Sequence, residues 1–296
     1  MTKPAYFGAS VPRREDGRLL RGGALFLDDL PEPAGTLHLA FVRSPYPHAV
    51  VRAIDASAAR ALPGVVAVVT GDQIAAWTAP MVTERGPGLA AMSRPHMAVD
   101  RVRHVGEAVA VVAAVNPYIA EDAVELVSVD YDVLPVVVSI EDALADGATL
   151  VYDDIPANVA FEKHYETGKV EDAFAQADHI FADTFTSARM AAIPIETRGF
   201  MASFDAGRQK LTFWSPTQMP HKVRWEMSQC LGLAEMNVRV IIPDVGGGFG
   251  MKAQMFPEDV IGAAMARHLG RPVKWIQDRQ DDLTTSTHAR DYRFDV

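Results

Sequence analysis

Val238-Arg239-Val240-Ile241-Ile242-Pro243-Asp244-Val245-Gly246-Gly247-Gly248-Phe249-Gly250-Met251-Lys252 is the stretch that decides how this chain is read. Its β-branched opening, Val238 to Ile242, reads as a strand, and the strand runs into a loop dominated by glycine. Glycines expose backbone N–H groups and let a ligand approach the main chain, so such a loop can cradle phosphate or other anionic oxygens. It is not a Walker A loop, because the spacing to Lys252 is wrong and Ala253 stands where Ser or Thr should follow. Nor is it a dinucleotide fingerprint: Met251 takes the place of the third glycine, and no acidic residue follows about 20 positions on at a strand end. As pattern alone, the loop is either an anion cradle or a tight turn without a ligand.

The surroundings are mixed helix and strand. Upstream, Leu211 to Trp214 reads as a strand, and Pro220 opens a helix to about Leu231, closed by Gly232. Downstream, Pro257-Glu258-Asp259 starts a helix with Ile261, Met265 and Leu269 on one face and Gly270 as its stop. Val273 to Ile276 is a further strand. Earlier still, Leu37–Arg43, Val65–Val69 and Ala108–Val115 read as strands. Asn116 caps a helix from Pro117 to Val127 with Ile119, Ala123, Leu126 and Val127 inward, and a strand follows from Val127 to Tyr131. Gly147, Pro156, Asn158 and Gly168 mark a linker. The expected α+β division is a lead-in over 1–20, a domain over 21–145, a linker over 146–168 and a second unit over 169–296. The final Asp291 to Val296 alternates like a strand, which a domain seldom ends on.

At 296 residues the chain holds about two domains' worth of sequence at roughly 100–200 residues each. Its hydrophobic content of 49% is enough for a sizeable core. A net charge of -10 has the wrong sign for gripping nucleic acid or anionic lipid by bulk charge. The N-terminus carries Lys3, Arg13 and Arg14 with no apolar run behind them, so neither an export signal nor a twin-arginine leader is expected. No window approaches roughly 18 consecutive apolar residues, so no membrane span is expected. The single cysteine, Cys230, fits a reducing, cytoplasmic setting and cannot by itself supply an iron–sulfur cluster.

Asp244 to Lys252, preceded by Trp214-Ser215-Pro216-Thr217-Gln218-Met219-Pro220, resembles the molybdenum-binding subunit of the xanthine dehydrogenase, aldehyde oxidase and carbon monoxide dehydrogenase family. Arg14-Glu15-Asp16, Asp28-Asp29, Val42-Arg43-Ser44-Pro45, Leu62-Pro63-Gly64-Val65, Val105 to Ala110 and Val129 to Pro135 are similar to that family's α/β hammerhead domain. The resemblance implies an α/β hammerhead domain followed by the first part of a molybdopterin cofactor-binding domain. It implies molybdenum held by the pterin's own sulfurs, as molybdopterin or its cytosine dinucleotide form, with no metal-ligating residue from the protein. Gln218 would hydrogen-bond an oxygen ligand of the metal. The amides of Gly248, Phe249 and Gly250 would contact those oxygens or the pterin, with Gly247 allowing the approach.

The chemistry implied is hydroxylation of a small-molecule substrate with oxygen from water, the electrons leaving through iron–sulfur and FAD partner subunits. The catalytic carboxylate base of the family has no match here and is expected beyond Val296, on the remaining half of the molybdenum subunit. The available carboxylates have plainer readings. Glu258 and Asp259 sit at a helix start, where they favour the helix dipole, and Glu196 is expected to pair with Arg198. Ala253 cannot bind a purine as the glutamate of xanthine-oxidising members does, which leaves aldehydes, N-heterocycles or carbon monoxide. A non-catalytic assembly module with the same fold is the alternative. Cys230, Phe213, Trp214 and Trp275 read as core. The histidines, among them His48, His96 and His288 in His288-Ala289-Arg290-Asp291, show no paired ligand spacing.

Overall fold

The computed structural model describes residues 6–83, 92–289 and 291–296; Lys3 and Arg290, singled out above, lie outside them. The first half supplies β1 (Leu37–Arg43), β2 (Ala49–Asp55), β3 (Val65–Thr70), β4 (Met81–Thr83), β5 (Met92–Arg94), β6 (Arg101–Val102), β7 (Ala108–Ala114) and β8 (Ser128–Val133). The second supplies β9 (Thr184–Ser187), β10 (Gly199–Asp205), β11 (Lys210–Trp214), β12 (Val238–Ile241), β13 (Val273–Ile276) and β14 (Tyr292–Asp295). One seven-stranded sheet crosses both halves in the order β12-β11-β10-β13-β1-β7-β3. The crossing is made where β13 lies parallel to β1, with Leu37 opposite Val273 and His38 opposite Lys274. β7 is buried along its whole length, which is why it reads as an unbroken run of Ala and Val. A smaller sheet, β6-β2-β8, packs with the first half, and β9 pairs with β14.

The helix Pro117–Glu125 begins as its sequence predicts, with Asn116 Oδ1 accepting from the Ile119 N–H at 2.9 Å. Its inward face differs. Ala120 and Ala123 are the buried residues, while Leu126, expected inside, is 42% exposed because the helix has already ended and the chain turns toward β8. The helix Pro257–Leu269 was expected to show one apolar face, yet it is buried all round from Glu258 to Ala266. It lies on β10 and also meets the helices Pro220–Leu231 and Gly71–Trp77, so no side of its middle faces water. Gly262 makes the close approach to β10 possible, since a Cβ there would stand 2.0 Å from Phe200 Cε2. Phe200 in turn stacks on Phe213 at 5.6 Å and meets Trp275 at the same centroid distance. Cys230 is buried in this core, and its thiol is pushed up to about 11, by burial first and by Glu226 second, which keeps it protonated and unreactive.

Candidate functional site

The glycine loop follows β12 and sits beside the segment that follows β11. Two backbone bonds align the segments: the Ser215 N–H donates to Ile241 O at 3.1 Å, and the Gln218 N–H donates to Lys252 O at 2.9 Å. The Thr217 hydroxyl adds a bond to the same Lys252 carbonyl at 3.2 Å. Gln218 is thereby carried over the loop. Its side-chain Oε1 accepts from the Gly250 N–H at 3.1 Å, so the Gly250 amide is engaged within the protein. The Gln218 Nε2 donor has no protein partner among the described residues. Gly248 passes so close beneath this side chain that a Cβ would lie 2.5 Å from Oε1 and 2.6 Å from the amide carbon.

Gly247 and Gly250 have positive φ of 102° and 90°, and Phe249 between them is held at φ 50° and is 76% exposed. A bulky side chain in that region is strained and needs outside contacts to stay there. Among the described residues the N–H groups of Gly247, Gly248 and Phe249 have no acceptor. The result is a short row of neutral donors beside the Gln218 amide. Such a row suits an anionic, oxygen-bearing group and does not suit a bare cation. No three His, Cys, Asp or Glu side chains cluster among the described residues as they would to hold a metal ion directly. The donor set therefore fits a molybdopterin centre whose metal brings its own sulfur and oxygen ligands.

Glu196 does not pair with Arg198, contrary to the reading from sequence. Its Oε2 accepts from the Gly246 N–H at 2.8 Å and from Lys252 Nζ at 2.9 Å, so one carboxylate ties the start of the glycine loop to its end. Burial lowers the Lys252 ammonium, and Glu196 works against that shift. Arg198 is drawn elsewhere, onto the Phe256 ring at 3.7 Å and onto Glu258 Oε2 at 3.2 Å. No local signal announced this contact, because Glu196 and Lys252 stand 56 residues apart in the sequence.

Glu258 and Asp259 do more than favour a helix dipole. Glu258 is buried between Arg198 and Arg43, and Arg43 also binds Asp281. Asp259 Oδ2 accepts from the Phe256 N–H at 2.8 Å, which closes the helix start. Burial pushes the Asp259 carboxyl up to about 7; the Phe256 N–H and Arg198 pull it down, and Glu258 adds to the rise. A carboxyl that holds its proton more tightly folded than unfolded stabilises the protein below the ordinary carboxylate range. That contribution fades as pH rises toward about 7. Asp259→Asn keeps an oxygen for Phe256 and should flatten this decline, which is about 1.4 kcal/mol for each pH unit of the gap. Urea midpoints measured across that window check it, and an unchanged slope in the variant would clear Asp259 of the effect.

A family profile described as the aldehyde oxidase and xanthine dehydrogenase a/b hammerhead domain matches residues 21–135. One described as the molybdopterin cofactor-binding domain matches residues 151–296. A hammerhead domain followed by a cofactor-binding domain is the class that fold and loop define. The chain belongs to the molybdenum-binding large subunits of the xanthine dehydrogenase, aldehyde oxidase and carbon monoxide dehydrogenase family. It is 40% identical to the nicotine 6-hydroxylase large subunit of Paenarthrobacter nicotinovorans over 96% of its own length and 35% of that protein's. It is 36% identical to the carbon monoxide dehydrogenase large chain of Hydrogenophaga pseudoflava, covering 95% of this chain and 36% of the relative. The solved quinoline 2-oxidoreductase of Pseudomonas putida 86 superposes with a TM-score of 0.92 at 40% identity, over 97% of this chain and 36% of that one. The chain thus spans about a third of the length of the relatives it matches.

Proposed function

We propose that this chain is part of a molybdenum hydroxylase that oxidises an aldehyde or an N-heterocycle with oxygen derived from water, and that its share of the work is to hold the molybdopterin cofactor. The observation that carries the reading is the row of amides at Gly247, Gly248 and Phe249 that, like the neighbouring Gln218 Nε2, have no partner among the described residues, in a region matched to a molybdopterin-binding domain. When bound, that cofactor supplies the redox-active metal together with its sulfur ligands. Gln218 Nε2 and the N–H groups of Gly248 and Phe249 donate to its oxygens, Gly247 leaves room for it, and Gly250 steadies Gln218 from below. Neutral donors hold an anionic centre without offering a competing nucleophile.

The names of the nicotine and quinoline relatives favour an N-heterocyclic substrate, and Ala253, with no polar group to offer, is consistent with a non-purine one. A carbon monoxide dehydrogenase role is the second reading, favoured by the 36% identity to such a large chain. In either role the active assembly includes the remaining part of the molybdenum subunit, an iron–sulfur subunit and an FAD subunit, and the cofactor is molybdopterin or its cytosine dinucleotide. We place the assembly in the cytoplasm, where the lone Cys230 stays reduced. No helix among the described residues is long and apolar enough to cross a membrane.

The test is co-expression with a polypeptide carrying the remaining cofactor-binding region, followed by metal analysis of the purified complex. Molybdenum equimolar with the chain is the expected result. A complex that forms without molybdopterin would instead identify a non-catalytic assembly module.

A further inference from the structure

We propose that the N-terminal segment from Arg18 to Leu27 is a strap that holds the glycine loop in its donor-presenting shape, with Arg18 as its positioning residue. The inference rests on reading that loop as the cofactor cradle. In sequence these residues straddle the end of the lead-in and the start of the first domain, and no motif there announces a task.

In the structure they bind the loop's entry. Arg18 Nη1 and Nη2 donate to the two carboxylate oxygens of Asp244, each at 2.6 Å, in a two-pronged pair between residues 226 apart. The Leu25 N–H donates to Asp244 Oδ2 at 2.7 Å, and the Asp244 N–H donates back to Leu25 O at 2.9 Å. Arg18 is itself shaped by its own segment, because Nη1 also donates to Gly23 O at 2.8 Å and the Gly23 N–H returns a bond to Arg18 O at 3.0 Å. Further along, Leu27 is buried, its side chain close against Gly199, and its N–H approaches Glu196 Oε1 at 3.4 Å. The other oxygen of Glu196 holds Gly246 and Lys252. Asp244 and Glu196 are therefore the two carboxylates that fix the loop's ends, and the strap touches both.

Magnitudes say what this arrangement is for. The Arg18–Asp244 pair is partly open to water, with side chains 45% and 22% exposed. Exposed ion pairs contribute little to global stability. Two parallel charge-assisted bonds nevertheless set geometry well, and Asp244 stands two residues before Gly246. The loop needs such outside fixing, since its central amides make no internal bonds among the described residues and Phe249 is held at positive φ. Asp244 keeps its charge into acid: the Arg18 bond first and the Leu25 N–H second hold its carboxyl at about 2.

The experiment is amide hydrogen exchange on the full chain, read at the bonded loop amides Gly246, Gly250 and Met251, with thermal unfolding recorded alongside. Arg18→Ala and Asp244→Asn should each speed exchange at these amides roughly tenfold, as expected for losing bonds to a charged group, while the unfolding midpoint stays in place. Arg18→Lys, which keeps the charge without the fork, should fall between. Wild-type exchange in Arg18→Ala, or a speeding spread evenly over the whole chain, would overturn the strap. Pterin content separates the two readings. A wild-type complex with the remaining cofactor-binding region that binds no pterin, while the chain loses loop protection in Arg18→Ala, keeps the strap and removes the cofactor reading. A wild-type complex that binds pterin, with Arg18→Ala indistinguishable from it in both measurements, does the reverse.

Discussion

Glu258→Ala should lower the stability of the protein by about 3–5 kcal/mol, the usual cost of removing one partner from a buried ion pair. Glu258 is 5% exposed, with Arg43 Nη1 at 3.0 Å on one side and Arg198 Nη1 at 3.2 Å on the other. Burial alone would raise its carboxyl, but the two guanidiniums outweigh burial and hold it at about 2. The carboxylate is thus charged at any ordinary pH, and alanine would leave two buried cations with one fewer anion between them. Arg43 keeps Asp281 and Arg198 keeps its ring contact, yet Arg43 Nη2 already lacks a partner among the described residues. Because Arg43 lies on β1 and Arg198 immediately precedes β10, the loss would fall on the seam between the halves. Glu258→Gln retains shape without charge and should cost less. Urea unfolding of the pair measures both, and an alanine variant within about 1 kcal/mol of wild type would mean that desolvation had already cancelled the attraction.

The second large effect lies where Gln218 rides over Gly248. In the assembled enzyme Gln218→Ala should reduce turnover about 10²-fold, the scale for removing one preorganised donor from a charged centre. Its folding should barely change, since the side chain is exposed and its one bond among the described residues is to Gly250. Gly248→Ala attacks the same contact from beneath. A Cβ 2.5 Å from Gln218 Oε1 must displace that side chain, so this variant should lose both turnover and retained molybdenum. Unchanged turnover in Gln218→Ala with a full complement of cofactor would remove Gln218 from the site.

Elements were legible where local chemistry decides them. Asn116 ahead of Pro117, Gly232 and Gly270 at left-handed helix ends, and the apolar run of β7 each announce a boundary or a burial state within a few residues. The family resemblance, not the loop's composition, pointed to Gln218 and Gly247 to Gly250 as one place; the fold sets them side by side, with the Gly250 amide, expected to face the cofactor, taken by Gln218. Partners at long range were not legible. Periodicity could not show that the helix Pro257–Leu269 is enclosed on every side, because its closing neighbours come from distant parts of the chain. Nor could it choose Lys252 over Arg198 for Glu196. Charge offers many complements, and only the folded backbone selects among them. The segment Arg18 to Leu27 was the least legible of all, since its contacts with Asp244 span more than two hundred residues.

The parallel pairing of β1 with β13 bears on how such a protein can be divided. The two matched regions meet between residues 135 and 151, which invites a cut there. A proteolytic nick at that point would break the backbone and leave the sheet whole, because its middle is shared property of both fragments. Made alone, the first fragment would expose the edge of β1, a seven-residue, mostly apolar strand, and the second the four-residue edge of β13, each a template for pairing with its own kind.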